Sequence, residues 1–363
     1  MEQHNFGYSF PAIKGFQAGK SYFITMCPLG VIPKIFLFDE EELVAEVRAQ
    51  RTLNRSRVPE IADYILEKRN SYVFSALTAS VDGPVHFEPV SNVNGNDQIG
   101  TLHIPMTANF VINDGQHRRA AIETALKVQP DLADETIAVV LFRDSGLKRS
   151  QQMFADLNRY AVKPSRSLGL LYDHGDEGAE VTRNLVSGCV AFRDVVEMEK
   201  TALASRSRRL FTFSAIYGAT KLLLIEFKEE TLDERTNRAI RFWSAVERAF
   251  PEWKRVREGR LTSGEVRQDY IHSHGVVLSA IGRAGSALMT AHDKDWPSKI
   301  APLKKLDWSR SNFKLWEGRA MRNGKLSKAN DNIVLTSNVI KKVWGLQFTP
   351  EERRLENKVH KSD

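Results

Sequence analysis

A chain of 363 residues, 42% hydrophobic and 27% charged, has room for one large or two ordinary domains and enough apolar mass for real cores. No low-complexity tract suggests a disordered region, and no apolar run approaches the roughly 18 residues of a membrane span, which argues against a membrane role. The net charge of +7 is unevenly placed. Residues 1–200 carry 21 Lys and Arg against 26 Asp and Glu, and residues 201–363 carry 31 against 19, giving −5 and +12.

Two readings of that basic half stand side by side: a polyanion-binding surface, with nucleic acid the leading partner, and a charge-rich solvated helical surface. Met1–Asn5 lacks the basic start and apolar core of a signal peptide, so a soluble cytoplasmic protein is expected. Cys27 and Cys189 match no metal-ligand spacing, and no metal site is expected. Both read as reduced thiols; a redox-sensing role for Cys27 stays open because exposure and a lowered pKa would be needed for it.

Along the chain, Ser21–Met26 and Val31–Phe38 read as strands joined by a turn at Cys27–Gly30, followed by a helix from Glu40 to Gln50. Pro59 opens a second helix whose Ile61, Tyr64 and Ile65 form one apolar face, with Arg55 and Arg57 just before it. Tyr72–Val81 reads as a strand ending at Asp82-Gly83, and Val90–Gly100 as a mobile loop. The next stretch, Phe110-Val111-Ile112-Asn113-Asp114-Gly115-Gln116-His117-Arg118-Arg119, runs from apolar residues into a tight turn and out as a helix. Asn113 or Asp114 is expected to cap that helix, and Gly115 to allow the bend. A helix N-terminus beside His117, Arg118 and Arg119 suits an anion; an Asp-Gly turn followed by solvated arginines is the plainer alternative.

Thr136–Phe142 reads as a buried strand, 147–158 as a helix with Met153, Phe154 and Leu157 inward, and Lys163–Ser167 as the start of another helix. Alternating strands and helices over residues 20–200 predict an α/β unit. Beyond residue 200 helical periodicity marks 212–228, 233–249 and 264–290, broken at Pro251. Basic residues cluster at Arg206, Arg208 and Arg209, along Arg235, Arg238, Arg241 and Arg248, and at Lys304, Lys305, Arg319, Arg322, Lys325, Lys328, Lys341 and Lys342. Trp308, Trp316 and Trp344 lie among the last group, which suits nucleic-acid stacking as well as an ordinary core dressed with lysines. Gly318–Lys325 is not a phosphate-binding loop, having five residues between its glycines and Leu326 where magnesium needs a hydroxyl. His272 and His274, two apart, are a poor metal pair on a helix.

The string Asp114-Gly115-Gln116-His117-Arg118 resembles the DGQHR-domain family, closest to the DndB family of bacterial DNA phosphorothioation systems. Asn113, the Arg55–Leu66 segment and Phe154-Ala155-Asp156-Leu157-Asn158 carry the resemblance further. It implies a ParB/sulfiredoxin-like α/β domain, set here over residues 1–200; helical periodicity and charge, not the resemblance, give a mainly α-helical basic domain over 201–363. It also implies a phosphate- or nucleotide-binding pocket formed by Asp114, Gly115, Gln116, His117 and Arg118, with Arg55 and Arg57 as second contributors; Asn113 and Arg119, beside the motif at the helix start, are counted with the same candidate anion site. The function it implies is DNA-binding repression of the modification operon, with double-stranded DNA and other proteins of that system as partners. A homo-oligomer is compatible with it, and a nucleotide is the cofactor that the pocket would take.

Charge alone assigns DNA contact to Arg206, Arg208, Arg209, Arg238, Arg241, Lys304, Lys305, Arg319, Arg322, Lys325, Lys341 and Lys342. Two other readings compete with the regulator. One is a DNA-stimulated nucleoside-triphosphatase in which Asp114 or His117 orients water and Arg118 stabilises phosphate charge. The other is a scaffold whose motif is a structural turn, with Arg118 paired to an internal carboxylate.

Overall fold

The computed structural model describes residues 7–36, 57–90, 97–143, 152–153, 156–157 and 164–359. They fall into two compact units, Met1–Val162 and Lys163–Asp363, each with its own apolar core.

In the first unit, β1 (Gly7–Gln17) and β2 (Lys20–Pro28) form a hairpin. Its turn is Ala18-Gly19, with φ of 49° and 72°; positive φ at both central residues matches the twist of paired strands. The expected turn at Cys27–Gly30 is therefore not the hairpin. Pro33 instead sits in a single helical turn at Ile32–Ile35, where the Val31–Phe38 strand was expected. Then come α1 (Arg57–Glu67), β3 (Leu77–Asp82), β4 (His86–Pro89), β5 (Ile99–Pro105), β6 (Asn109–Asp114), α2 (Gln116–Val128) and β7 (Thr136–Arg143).

The seven strands make one mixed sheet in the order β4-β5-β1-β2-β7-β3-β6, parallel only between β3 and β7. Five successive buried residues, Leu77–Val81, mark β3 as a strand covered on both faces. The strand expected from Tyr72 begins only at Leu77, and β5 takes in just the last two residues of the expected Val90–Gly100 loop, of which 91–96 lie outside the described residues. Ile65 is buried in α1 as expected, but Tyr64 is 38% exposed and its hydroxyl accepts from the Val73 N–H at 2.9 Å. The Glu40–Gln50 helix, Arg55 and most of the 147–158 helix lie outside the described residues. Leu157, expected inward, is 41% exposed.

The second unit is mainly helical. It contains α3 (Arg166–Tyr172), α4 (Glu177–Gly188), β8 (Val196–Glu197) paired with β9 (Phe211–Thr212), α5 (Phe213–Leu223), α6 (Leu232–Glu247), α7 (Pro251–Arg257) and α8 (Ser263–Asp269). After these come α9 (Gly275–Ala291), the hairpin β10 (Met321–Arg322) and β11 (Lys325–Leu326), α10 (Asn330–Val343) and α11 (Pro350–Val359). The unit begins at Lys163 rather than at residue 201 because α4 sends Val181 and Leu185 into the second core. With that boundary the first unit holds 16 Lys and Arg against 19 Asp and Glu and the second 36 against 26, giving −3 and +10.

α9 runs through the centre of this core. A Cβ at Gly282 would collide with the Ala219 carbonyl of α5, so only glycine allows that approach. The helix expected over 264–290 is in fact two. Tyr270 is drawn into a β-bridge with Ser309, and the Ile271 N–H bonds the Trp308 carbonyl at 3.0 Å. Long-range pairing overrides helix propensity there, and a fresh helix starts at Gly275.

Candidate functional site: a motif turn and a basic cleft

The motif turn lies where β6 hands over to α2. Gly115 occupies the N-cap with φ 107°, a conformation that favours glycine, and a Cβ there would collide with Leu77 of β3. The expected side-chain caps are absent. Asn113 is buried and donates through Nδ2 to Ser80 Oγ at 2.7 Å, while Asp114 Oδ2 accepts from Arg118 Nη2 at 2.6 Å. Arg118 Nη1 also donates to the Ser75 carbonyl at 2.7 Å and to the Ser75 hydroxyl. Arg119 is held by the Phe36 carbonyl at 2.9 Å, the Pro33 carbonyl at 3.1 Å and Glu123. Gln116 is buried, its Nε2 donating to the Ile112 carbonyl at 3.4 Å. Burial pushes the His117 pKa below its ordinary value, and the nearby Arg57 charge adds to this against the opposing pull of Asp114. The fold thus brings His117, Asp114, Arg118 and Arg57 together, but spends both motif arginines on contacts within the unit.

Cys27 is 1% exposed and burial pushes its thiol up to about 12. That removes both conditions for redox sensing, since the thiolate is the reactive form.

The cations assigned to DNA divide into two sets. Arg319 pairs with Glu356 at 2.6 and 2.9 Å, and Lys341, only 4% exposed, pairs with Glu352 at 2.7 Å. Arg238 pairs with Glu230 and covers the Phe227 ring at 4.1 Å. Arg241 lies 5.6 Å from the Trp296 ring centroid, and Arg209 donates to the Asp194 carbonyl. Two further arginines of the same basic ridge, not assigned to DNA, are also engaged: Arg235 pairs with Glu177, and Arg248 donates to its own helix. A cation whose charge is already met by a buried carboxylate is not a free phosphate contact, so Arg319 and Lys341 are corrected to internal, structural roles. All six tryptophans are buried, which likewise removes Trp308, Trp316 and Trp344 as stacking platforms for bases.

Lys304, Lys305, Arg322, Lys325 and Lys342 are exposed, and among the described residues none has a carboxylate partner. Arg322 and Lys325 flank the tip of the β10–β11 hairpin, whose Asn323 and Gly324 have φ of 52° and 70°. Glu317 fastens the tip by accepting from the Asn323 N–H at 2.5 Å and the Gly324 N–H at 3.1 Å. Phe313, 54% exposed, stands beside Gly324. The segment rejected as a nucleotide-binding loop is therefore a short basic ribbon with an exposed aromatic neighbour.

A cleft of about 1290 Å³ opens in the second unit, lined by the 201–212 segment, α8, Ser273–Gly275, Arg310 and Lys328. Five cations line it: Arg206, Arg208, Arg267, Arg310 and Lys328. The one carboxylate lining it, Glu265, closes the capping box of α8 with Thr262. Arg267 donates to the carbonyls of Ala204 and Ser205 at 3.0 and 2.9 Å, tying the Arg206–Arg208 segment to α8. His274 Nε2 donates to the Arg267 carbonyl at 2.8 Å, and burial pushes its pKa down. Ser273 is 5% exposed and its hydroxyl has no hydrogen-bond partner among the described residues.

Sequence reasoning placed Arg206 and Arg208 on a binding surface and counted Lys328 in the C-terminal basic group, but missed Arg267, Arg310 and Ser273. The string His272-Ser273-His274-Gly275 held a signal, since a glycine after small polar residues is a helix start, but it lay inside an expected helix. His272 itself is a core residue: Trp253 Nε1 donates to its Nδ1 at 3.0 Å, and burial holds its pKa low.

Compared with known families, residues 10–347 match the family model DndB, described as DNA-sulfur modification-associated. Neither curated proteins nor solved structures gave a match.

Proposed function

The chain belongs to the DndB, DNA-sulfur modification-associated family, and from that membership we propose that it is a DNA-binding regulator of a DNA sulfur modification system. In this reading it represses the modification operon from the cytoplasm and works alongside the other proteins of the system. The observation that supports the DNA contact is the set of exposed cations on the second unit that have no carboxylate partner among the described residues, above all Arg322 and Lys325 on the β10–β11 ribbon beside Phe313. A two-stranded ribbon fits the major groove of duplex DNA, and unpaired cations release counterions when they meet phosphates. A ParB/sulfiredoxin-like first unit belongs to the same proposal, supported by the strand, glycine turn and helix at Gly115. We read the motif as the brace of that unit, because Arg118 already holds Asp114 and Ser75.

Fluorescence anisotropy of the full chain on a labelled duplex carrying the operon promoter tests this between about 50 and 200 mM salt. Reversing Lys304, Lys305, Arg322 and Lys325 to Glu should weaken binding and reduce the salt slope by roughly 0.9 for every phosphate that the protein no longer neutralises. Unchanged affinity and slope would overturn this placement of the surface. Nucleotide hydrolysis that disappears in Arg118→Ala while the variant stays folded would favour the triphosphatase instead.

A further inference from the structure

In the cleft of the second unit, cationic and polar side chains gather at the N-terminus of α9. Gly275 is the first residue of the 17-residue helix α9, and the space its Cβ would fill is taken by Cε and Nζ of Lys328. An ammonium therefore rests against the positive end of a long helix whose N-cap residue, His274, supplies no side-chain cap. Among the described residues Lys328 has no carboxylate partner, and neither has Arg310. Lys328 as a whole is exposed, but partial desolvation of its ammonium, with the Arg166 charge adding to it, pushes its pKa down. Like charges gathered on a helix N-terminus repel one another unless an anion sits between them.

A second observation concerns the same wall. The Ser273 hydroxyl, two residues before Gly275, is buried and unpartnered, and a buried polar group normally has a partner. Arg267 Nη1, also buried on this wall, lacks one too. Helix N–H groups, an ammonium, a guanidinium and a hydroxyl are donors only or ready donors, and they suit a tetrahedral oxyanion with several acceptor oxygens.

We propose that the N-terminus of α9, with Lys328, Arg310, Arg267 and Ser273, is a binding site for a phosphate ester. The ester comes from one of two sources, a free nucleotide or a backbone phosphate of DNA threading the cleft. Only the second source rests on the DNA-binding reading above.

Two probes separate the sources: AMP, followed by phosphorus NMR line broadening, and the labelled duplex, followed by anisotropy. Lys328→Gln in the full chain should weaken whichever probe binds here by about tenfold, the cost of losing one charge-assisted hydrogen bond. Lys328→Arg should recover most of that loss. Thermal melting checks folding, and Arg310→Gln serves as the second variant if Lys328→Gln is unstable. AMP binding lost in Lys328→Gln, with duplex binding intact, identifies a nucleotide site. Duplex binding weakened without any AMP binding identifies a backbone phosphate. If the folded variants bind both probes as the wild type does, or the wild type binds neither probe, the proposal fails. Duplex binding that responds to reversal of the ribbon cations but not to Lys328, with no AMP binding that depends on Lys328, would sink this site while leaving the regulator reading intact. AMP binding without duplex binding would do the opposite.

Discussion

Lys341 shows why residue type does not decide residue role. Its ammonium is sealed against Glu352, itself 1% exposed, with Arg283 at 3.3 Å completing the cluster. Removing one member of a buried pair strands the other, so Lys341→Met should destabilise the protein by about 3 kcal/mol in chemical denaturation. The pair also sets a pH dependence. Burial raises the Glu352 pKa, but hydrogen bonds from Lys341 and the Thr349 N–H outweigh it and leave the value below its ordinary 4.5. A depressed folded-state pKa contributes stability that is present above 4.5 and lost as pH falls through the folded value. Denaturation midpoints should therefore fall on acidification below about 4.5, and this component should shrink in Lys341→Met; an identical pH profile in both proteins would refute the assignment.

At the scale of elements, helices that stand on their own were the easiest to read. Thr231 opens α6 and Ser165 opens α3 with side-chain caps, and both helices fall within two residues of where periodicity and composition put them. The break between α8 and α9 was not readable, because it depends on Tyr270 finding Ser309 some forty positions along the chain. Gly282 is the complementary case. In an isolated helix alanine would be better than glycine by about 1 kcal/mol, yet here a Cβ meets the α5 backbone. Gly282→Ala should lower the melting temperature, since forcing the helices apart costs about 1–3 kcal/mol and exceeds the propensity gain. A stabilised variant would show that α5 and α9 can separate without penalty.

For the whole molecule, the two units differ in charge, −3 against +10, as well as in architecture. A polyanion held mainly through its phosphates should respond to cations of the second unit and ignore those of the first. Lys20→Glu, at the exposed start of β2, should thus leave the salt slope of duplex binding unchanged, whereas Arg322→Glu should flatten it. Equal effects from both would mean that the charge division does not organise DNA binding. The shift of the boundary from residue 200 to Val162 softens the asymmetry without reversing it, because α3 and α4 bring a near-neutral segment into the basic unit.

By itself the sequence determined the α/β-then-helical order, the strand–glycine–helix turn at Gly115, the basic second half and the family. These depend on neighbours in the chain, on periodicity, or on sums over many residues. Tertiary structure alone decided which cations are free. Arg319 and Arg322 lie three positions apart, yet one meets Glu356 and the other meets none among the described carboxylates. It alone decided that Arg118 braces the motif, that the tryptophans form core, and that Lys328 reaches the first residue of α9. An ion pair or a cleft is made by residues far apart in sequence, and no local pattern records which of them will meet.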